Sequence, residues 1–157
     1  MSIGKANCLV CGAPIKYFKD APEVTCDICG KKEGAHGICE DGHYACHRQK
    51  GVDFIMETCA NSKSTNPIEL AQEMMRDQSI YPNGPEHHSL VGAALLSAYK
   101  NAGGDIDLDA ALAELRNRSM QVPGGTCGFW GCCGAAISAG QFYSIISGST
   151  PMTQEPW

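Results

Sequence analysis

Cysteine content constrains the fold of this chain more than any other sequence feature, because ten cysteines occur among 157 residues. Four of them form two Cys-x-x-Cys-Gly motifs, Cys8–Gly12 and Cys26–Gly30. Two intervening residues let both thiolates of a pair reach one ion, and the trailing glycine supplies a left-handed backbone position. We therefore predict a zinc ribbon in which one structural zinc ion is held by Cys8, Cys11, Cys26 and Cys29. Iron is the alternative ion, since four thiolates bind either metal.

A second group of metal-binding residue types follows, formed by Cys39, His43 and Cys46. The Cys-x3-His-x2-Cys spacing offers three ligands within a short segment, as in modules whose cysteine pairs interleave between two zinc ions. A fourth ligand would be supplied by His36, His47 or Cys59. Under the alternative interpretation, the histidines are exposed turn residues, and Cys46 and Cys59 are small buried hydrophobic residues. The spacing does not decide between these assignments.

Charge and hydropathy narrow the class of protein. The 12 basic and 17 acidic residues give a net charge of −5, which argues against general nucleic-acid binding. The chain has no apolar run long enough for a membrane span, and residues 1–20 lack a secretory signal. We therefore expect a cytoplasmic protein with no membrane association. Its thiols would stay reduced there, which favours metal ligands over disulfides.

The domain boundary is predicted at the polar segment 62–67, which separates a metal module (1–63) from a helical domain (64–157). Within the module, residues 15–18 and 23–25 suit a short hairpin. Downstream, apolar residues repeat at helical spacing and predict helices over 67–77, 86–101, 108–117 and from 132 or 133 to 147. The predicted fold class is α+β: a small zinc-ribbon-like β module followed by an α-helical domain of about four helices.

Local signals support the individual helices. Asn66 followed by Pro67 begins the first predicted helix, which carries Ile68, Ala71 and Met75 on one face. Asp107 is expected to cap the third. The last predicted helix is rich in Gly, Ala and Ser, which would let another backbone approach closely.

Two motifs in the helical half carry candidate functional residues, Gly-Pro-Glu-His-His (84–88) and Gly-Gly-Thr-Cys-Gly-Phe-Trp-Gly-Cys-Cys-Gly-Ala (124–135). A glycine loop that leads into a helix start favours thiolates, so these cysteines should be more acidic than a free thiol. The candidates for catalysis or for binding a metal or iron–sulfur cofactor are Cys127, Cys132, Cys133, His87 and His88, with Glu86 as a general base or orienting carboxylate. The alternative is a tight loop with inert buried thiols, in which Phe129 and Trp130 fill the core.

These motifs, together with the segments 66–71 and 91–96, resemble a Cys-rich prokaryotic domain of unknown function. That family is found mainly in methanogenic archaea and anaerobic bacteria, alone or attached to methyltransferase or radical S-adenosylmethionine proteins. The resemblance extends over most of the chain, including the Cys-x-x-Cys pairs. It implies an anaerobe's cytosol and methyl or sulfur chemistry, with no particular reaction to transfer. It also implies a cysteine shortly after Cys46, where this chain has Gln49.

Two functions are consistent with these features. In the first, a structural zinc ribbon accompanies a second centre of Cys and His ligands, a transition metal or an iron–sulfur cluster, which acts on a small thiol, sulfide or methyl group. In the second, zinc stabilises an accessory module that binds a protein partner, either a methyltransferase, a radical S-adenosylmethionine enzyme or a second copy of the chain. Redox sensing by Cys132 and Cys133 ranks last, because a disulfide between adjacent residues is strained.

Overall fold

The fold consists of two compact units, residues 1–49 and 50–157, in a computed structural model of the chain. The residues that it describes are 8, 11–27, 30, 32–35, 37–44, 47–80, 84–122 and 126–154. The predicted boundary near residue 63 lies further along the chain than the boundary between these units. The α+β class is confirmed, since small sheets precede a set of helices.

The first unit contains two antiparallel two-stranded sheets. Its strands are β1 (Ile15–Tyr17), β2 (Glu23–Thr25), β3 (Lys32–Gly34) and β4 (Gly37–Cys39). Strand β1 pairs with β4, placing Ile15 opposite Cys39, and β2 pairs with β3, placing Thr25 opposite Lys32. The hairpin expected between 15–18 and 23–25 is therefore wrong. The tight turn that ends at Gly30 joins β2 to β3 instead, which leaves β1 to pair with β4.

Among the residues of this unit that the structure describes, large apolar side chains contribute little to the interior. The buried apolar residues described before position 50 are Cys8, Cys26, Ala35 and Cys39. Three of these four are thiols. Such a small unit cannot bury enough hydrocarbon to fold by the hydrophobic effect alone, so it needs another source of stability.

Six helices follow in the described part of the chain, α1 (His47–Asn61), α2 (Pro67–Met74), α3 (His87–Asn101), α4 (Leu108–Met120), α5 (Thr126–Trp130) and α6 (Gly134–Ser147). Four of them lie close to the predicted ranges, whereas α1 and the short α5 were not predicted. A signal for α1 was present, because Val52, Ile55 and Cys59 repeat at helical spacing and are fully buried. None of these helices is long and apolar enough to cross a membrane.

The predicted helix caps are confirmed. Asn66 Oδ1 accepts a hydrogen bond from the amide of Ile68 at 3.0 Å, and Asp107 Oδ1 accepts one from the amide of Ala110 at 3.1 Å. The buried face of α2 differs from the predicted one, since Ile68 is 67% exposed. Leu70 and Met74 enter the core instead.

Helix α3 lies at the centre of the helical unit and packs against α2, α4 and α6. The core around it includes Ile55, Leu70, Met74, Leu90, Leu96, Leu112 and Leu115. It approaches α6 closely at Gly92, whose amide donates to Ser138 Oγ at 2.8 Å. The small residues of α6 therefore serve the tight packing that the sequence indicated.

Candidate metal centre

The first Cys-x-x-Cys motif forms a tight turn that directs its thiols to one side. The Gly12 amide donates to the Cys8 carbonyl at 2.8 Å, and the Cys8 amide donates to the Ala13 carbonyl at 2.7 Å. Gly12 has a φ of 77°, a left-handed conformation that side-chain-bearing residues rarely adopt. This is the reason for a glycine directly after the second cysteine.

Strand pairing brings Cys39 to this turn. Ile15, shortly after the turn, lies opposite Cys39 in the β1–β4 ladder. Beyond Cys39 the chain turns sharply, and the Cys39 amide donates to the His43 carbonyl at 3.0 Å. Gly42 provides the positive φ, 85°, that this turn requires. The turn returns His43 to the side of the ladder on which Cys39 lies.

Four ligand atoms converge as a result, from Cys8, Cys11, Cys39 and His43, all within 4.8 Å of one another. Cys11 Sγ lies 3.4 Å from Cys39 Sγ, and Cys39 Sγ lies 4.0 Å from His43 Nδ1. Tetrahedral zinc with Zn–S bonds of about 2.3 Å separates two sulfur atoms by about 3.8 Å. The spacing of these atoms therefore fits one tetrahedral ion, and three cysteines with one histidine are a ligand set of structural zinc sites.

The electrostatics of the group also favour a cation. A hydrogen bond from Ala13 lowers the pKa of the Cys11 thiol, but the Cys39 thiol, some loss of hydration and the Cys8 thiol outweigh it and raise that pKa to about 12. Several thiolates this close would repel one another unless a positive ion lay among them. A bound metal ion would supply that charge and displace the protons. The Asp41 amide, 3.4 Å from Cys39 Sγ, adds a hydrogen bond to sulfur.

Cys26, another predicted ligand of the first unit, stands apart from this group. Cys26 is buried, with 2% of its surface exposed, and does not belong to the group. The structure thus joins Cys8 and Cys11 to Cys39 and His43 and not to Cys26. Cys29, Cys46 and His36 lie outside the described residues, as does the side chain of His47.

Cys59, the remaining candidate for a metal ligand, lies in the core of the helical unit. It is fully buried, and its Sγ lies 3.8 Å from Met74 Sδ. Burial raises the pKa of this thiol to about 12. Its surroundings therefore favour the neutral form, which agrees with the interpretation of Cys59 as a small hydrophobic residue.

The candidate residues of the 84–88 motif lie at the start of α3. His88 is buried, and a Cβ on Gly134 would overlap its ring, so this histidine packs against the first residue of α6. Glu86 is fully buried beside Gly51 and makes no side-chain capping hydrogen bond to α3. His87, one position further along the helix than Glu86, is half-buried.

The three cysteines of the glycine-rich loop, Cys127, Cys132 and Cys133, are all exposed, so the interpretation of these thiols as buried is wrong. Trp130 is also 65% exposed and does not fill the core. Outside the first group, no three Cys, His or acidic ligand atoms in the described residues lie within 4.8 Å of one another. A centre that joins these cysteines to His87 or His88 stays a prediction.

Cys133 has the most distinctive environment of the three cysteines. It occupies the N-cap of α6, where the nearby backbone amides of Ala136 and Ala135 lower the pKa of its thiol. Two backbone donors stabilise the thiolate at this helix start. The predicted acidity is therefore confirmed for Cys133.

The geometry defines the class of protein as one with a β module whose ligand atoms could hold a metal ion, followed along the chain by a helical unit. The sequence model of DUF5714, a family of unknown function, matches residues 55–157. The chain therefore belongs to this family. The match covers the helical unit from within α1 onwards and does not include the ligands Cys8, Cys11, Cys39 and His43. No curated protein and no solved structure matches the chain.

Proposed function

We propose that this protein is a zinc metalloprotein whose ion is structural and is held by Cys8, Cys11, Cys39 and His43. The convergence of these four ligand atoms within 4.8 Å carries the proposal. Four protein ligands complete a tetrahedral site and leave no position for a substrate. Among the described residues, the burial of thiols in place of large apolar side chains also supports a structural ion, because a site that exists only in the folded chain makes the free energy of ion binding contribute to folding.

Replacement of a buried ligand tests this proposal. We expect Cys39→Ser to lose one zinc ion per chain relative to the wild type, as measured by elemental analysis of the purified protein. The matched control is Cys59→Ala, which also removes a buried thiol but lies outside the ligand group. It should keep the zinc content of the wild type. A Cys39→Ser protein with unchanged zinc content would contradict the assignment.

We further propose that the helical unit acts in thiol, sulfur or methyl-group chemistry through Cys127, Cys132 and Cys133. In this proposal the thiols act directly or as ligands of a transition metal or an iron–sulfur cluster. The exposure of all three and the lowered pKa of Cys133 support it. An accessible thiolate is both the nucleophilic form of cysteine and the form that binds metals.

Anaerobic purification tests this second part. We expect metal in excess of that held by the β module, or visible absorption from iron–sulfur charge transfer, and we expect a Cys132→Ser/Cys133→Ser double variant to lose it. Circular dichroism should show the same helix content in both proteins. Equal metal content and absorption in the wild type and the double variant would contradict a metal centre at these cysteines. Direct action of the thiols would be contradicted if Cys133 reacted with an electrophile no faster than Cys59.

A second candidate function is protein binding through α6, with a second copy of this chain as the partner. No charged residue occurs from Ser119 to Gln154, although the chain has a net charge of −5. This face could therefore meet its own copy without charge repulsion. Ala136, Gly140, Tyr143 and Ser147 are exposed and lie along one side of the helix.

Sedimentation measures this association. We expect Tyr143→Lys to shift a dimer towards the monomer, because it places two charges in the contact. Ile68→Lys is the matched control, since it introduces a lysine at another exposed large hydrophobic residue, on α2. A wild-type protein that is monomeric at all concentrations would exclude the dimer.

A further inference from the structure

A groove with a volume of about 240 Å³ lies between α1 and α4 in the helical unit. It is lined by Met56 and Ala60 from α1 and by Asp109, Leu112, Ala113 and Arg116 from α4. Ala60 and Ala113 are exposed, so their small side chains leave the groove open to solvent. Pockets for small molecules usually measure about 300–1,000 Å³. This smaller groove suits one large side chain of a partner better than a separate small-molecule ligand.

The floor of this α1–α4 groove is apolar. Leu112 is 4% exposed, and Met56 is half-buried. Water against hydrocarbon side chains lacks hydrogen-bond partners there, so its displacement by an apolar side chain is favourable. Ala60 lies four positions after Met56, which places both on one face of α1. The floor is therefore a place where an apolar side chain gains free energy by binding.

The charge differs between the two ends of the groove. At one end, Arg116 of α4 forms an ion pair with Asp53 of α1. Asp109 lies seven residues before Arg116, which is about 10 Å along the helix. Among the ion pairs of the described residues, none includes Asp109. The first end is thus neutralised within the chain, whereas the second end presents a carboxylate.

A second carboxylate borders the groove on the α1 side. Glu57 is exposed and lies three positions before Ala60, on the same side of α1. It forms no ion pair in the part of the chain that the structure describes. The segments 50–61 and 105–118 contain six acidic and three basic residues, and two of the basic residues are already in ion pairs. The surroundings of the apolar floor are therefore negatively charged.

We propose that the α1–α4 groove binds an amphipathic helix of a partner protein that carries basic residues. One large apolar side chain of this helix enters the groove, and a lysine or arginine beside it lies against Asp109 and Glu57. Charge complementarity selects this occupant, because a second copy of the chain would bring a further net charge of −5 to a negative surface. Binding of a helix through apolar anchors in a groove is a common mode of recognition. None of the proposed metal ligands lines the groove, so this inference is independent of the zinc site.

Two synthetic helical peptides test the proposal on the full-length protein. Each has 15 residues, about four turns, with one phenylalanine on an apolar face. Lysines flank that face in the first peptide, and glutamates replace them in the second. We expect the lysine peptide to bind with a dissociation constant below about 1 mM, as measured by fluorescence anisotropy, and the glutamate peptide not to bind. Absence of saturable binding by the lysine peptide would overturn the proposal.

Charge reversal at the rim separates the groove from general attraction to a negatively charged protein. We expect Asp109→Lys to weaken binding of the lysine peptide by about three- to tenfold, since an exposed attractive pair becomes a repulsive one. The matched control is Glu73→Lys, which makes the same change in net charge at an exposed site on α2. It should weaken binding by less than about twofold. Equal effects of the two variants would show attraction to net charge alone and overturn the proposal.

Filling the groove tests the apolar contact. We expect Ala113→Phe to weaken binding of the lysine peptide by at least about tenfold, because the new ring occupies the space of the peptide's phenylalanine. Ala110→Phe is the control, since Ala110 is exposed on α4 and does not line the groove. Equal binding by these two variants would overturn the proposal. Sedimentation that shows a wild-type dimer lost in Ala113→Phe, without peptide binding, would assign the groove to a second copy and also overturn it.

Discussion

At the scale of single residues, Cys59 and Cys133 show how surroundings decide the chemistry of the same side chain. Cys59 lies in the helical core, where burial raises the pKa of its thiol to about 12. Cys133 lies exposed at the start of α6, where the amides of Ala136 and Ala135 lower its thiol pKa. The first environment favours the neutral form and the second favours the thiolate.

Alkylation rates should differ accordingly. We expect Cys133 to react with iodoacetamide at neutral pH at least about tenfold faster than Cys59, because the thiolate is the reactive form and Cys59 is shielded. Peptide mapping by mass spectrometry at successive times gives both rates from one sample. The Cys133→Ser variant identifies the fast site. Equal rates in the folded protein would show that neither environment acts as described.

The buried thiol of Cys59 makes the stability of the protein depend on pH. The pKa of Cys59 rises from its ordinary value of 9.0 in the unfolded chain to about 12 in the folded chain. Its contribution is therefore fully present below pH 9 and is lost as pH rises from 9 towards 12, by up to about 4 kcal/mol. We expect urea unfolding of Cys59→Ala to show a shallower loss of stability over this range than the wild type. Parallel pH profiles would contradict the assignment.

At the scale of elements, helix starts could be predicted from sequence, whereas strand partners could not. The caps at Asn66 and Asp107 act within three residues, so local sequence specifies them. The partner of β1 lies at least twenty positions away, and three-residue strands carry too few side chains to indicate it. The apolar residues of α1 repeat at helical spacing, but the helix follows Cys46 and includes Cys59, which favours its assignment to the predicted metal module (1–63).

Two glycines test the packing of α6 against α3. A Cβ on Gly92 would lie 2.7 Å from the Ser138 carbonyl oxygen, while Gly140 has nothing within 4 Å of its Cβ position. We expect Gly92→Ala to lower the free energy of unfolding by about 1–3 kcal/mol, because the backbones must separate. Gly140→Ala should raise it by about 0.5–1 kcal/mol through helix propensity. Thermal or urea unfolding measures both.

The critical result is the difference in the free energy of unfolding between Gly92→Ala and Gly140→Ala. Both variants make the same chemical change inside a helix, so propensity alone would stabilise each of them. A Gly92→Ala protein as stable as Gly140→Ala would show that α3 and α6 do not approach as closely as described.

At the scale of the whole molecule, the two units depend on different sources of stability. The helical unit buries a cluster of large apolar side chains around α3. The β module buries mainly thiols among its described apolar residues. Hydrophobic burial accounts for the first, and in our proposal the bonds between a bound ion and its ligands stabilise the second.

Metal removal should therefore affect the units unequally. After treatment with a strong chelator, we expect amides in residues 11–44 to lose hydrogen-exchange protection by at least about tenfold, because structural zinc contributes directly to folding. Amides of α3, α4 and α6 should keep theirs. Exchange followed by mass spectrometry resolves both regions in one experiment. Retained protection in the β module without metal would contradict a structural role for the ion.

The sequence by itself determined the α+β class, the caps of α2 and α4, and the Cys-x-x-Cys turns, because each depends on contacts within a few residues. It also indicated metal binding, since so many cysteines are unusual in a chain with no predicted disulfides. The tertiary structure decided which cysteines meet: the β1–β4 ladder joins Cys8 and Cys11 to Cys39 and His43. Spacing along the chain shows which residues can share a turn, but distant turns meet only through the pairing of the strands between them.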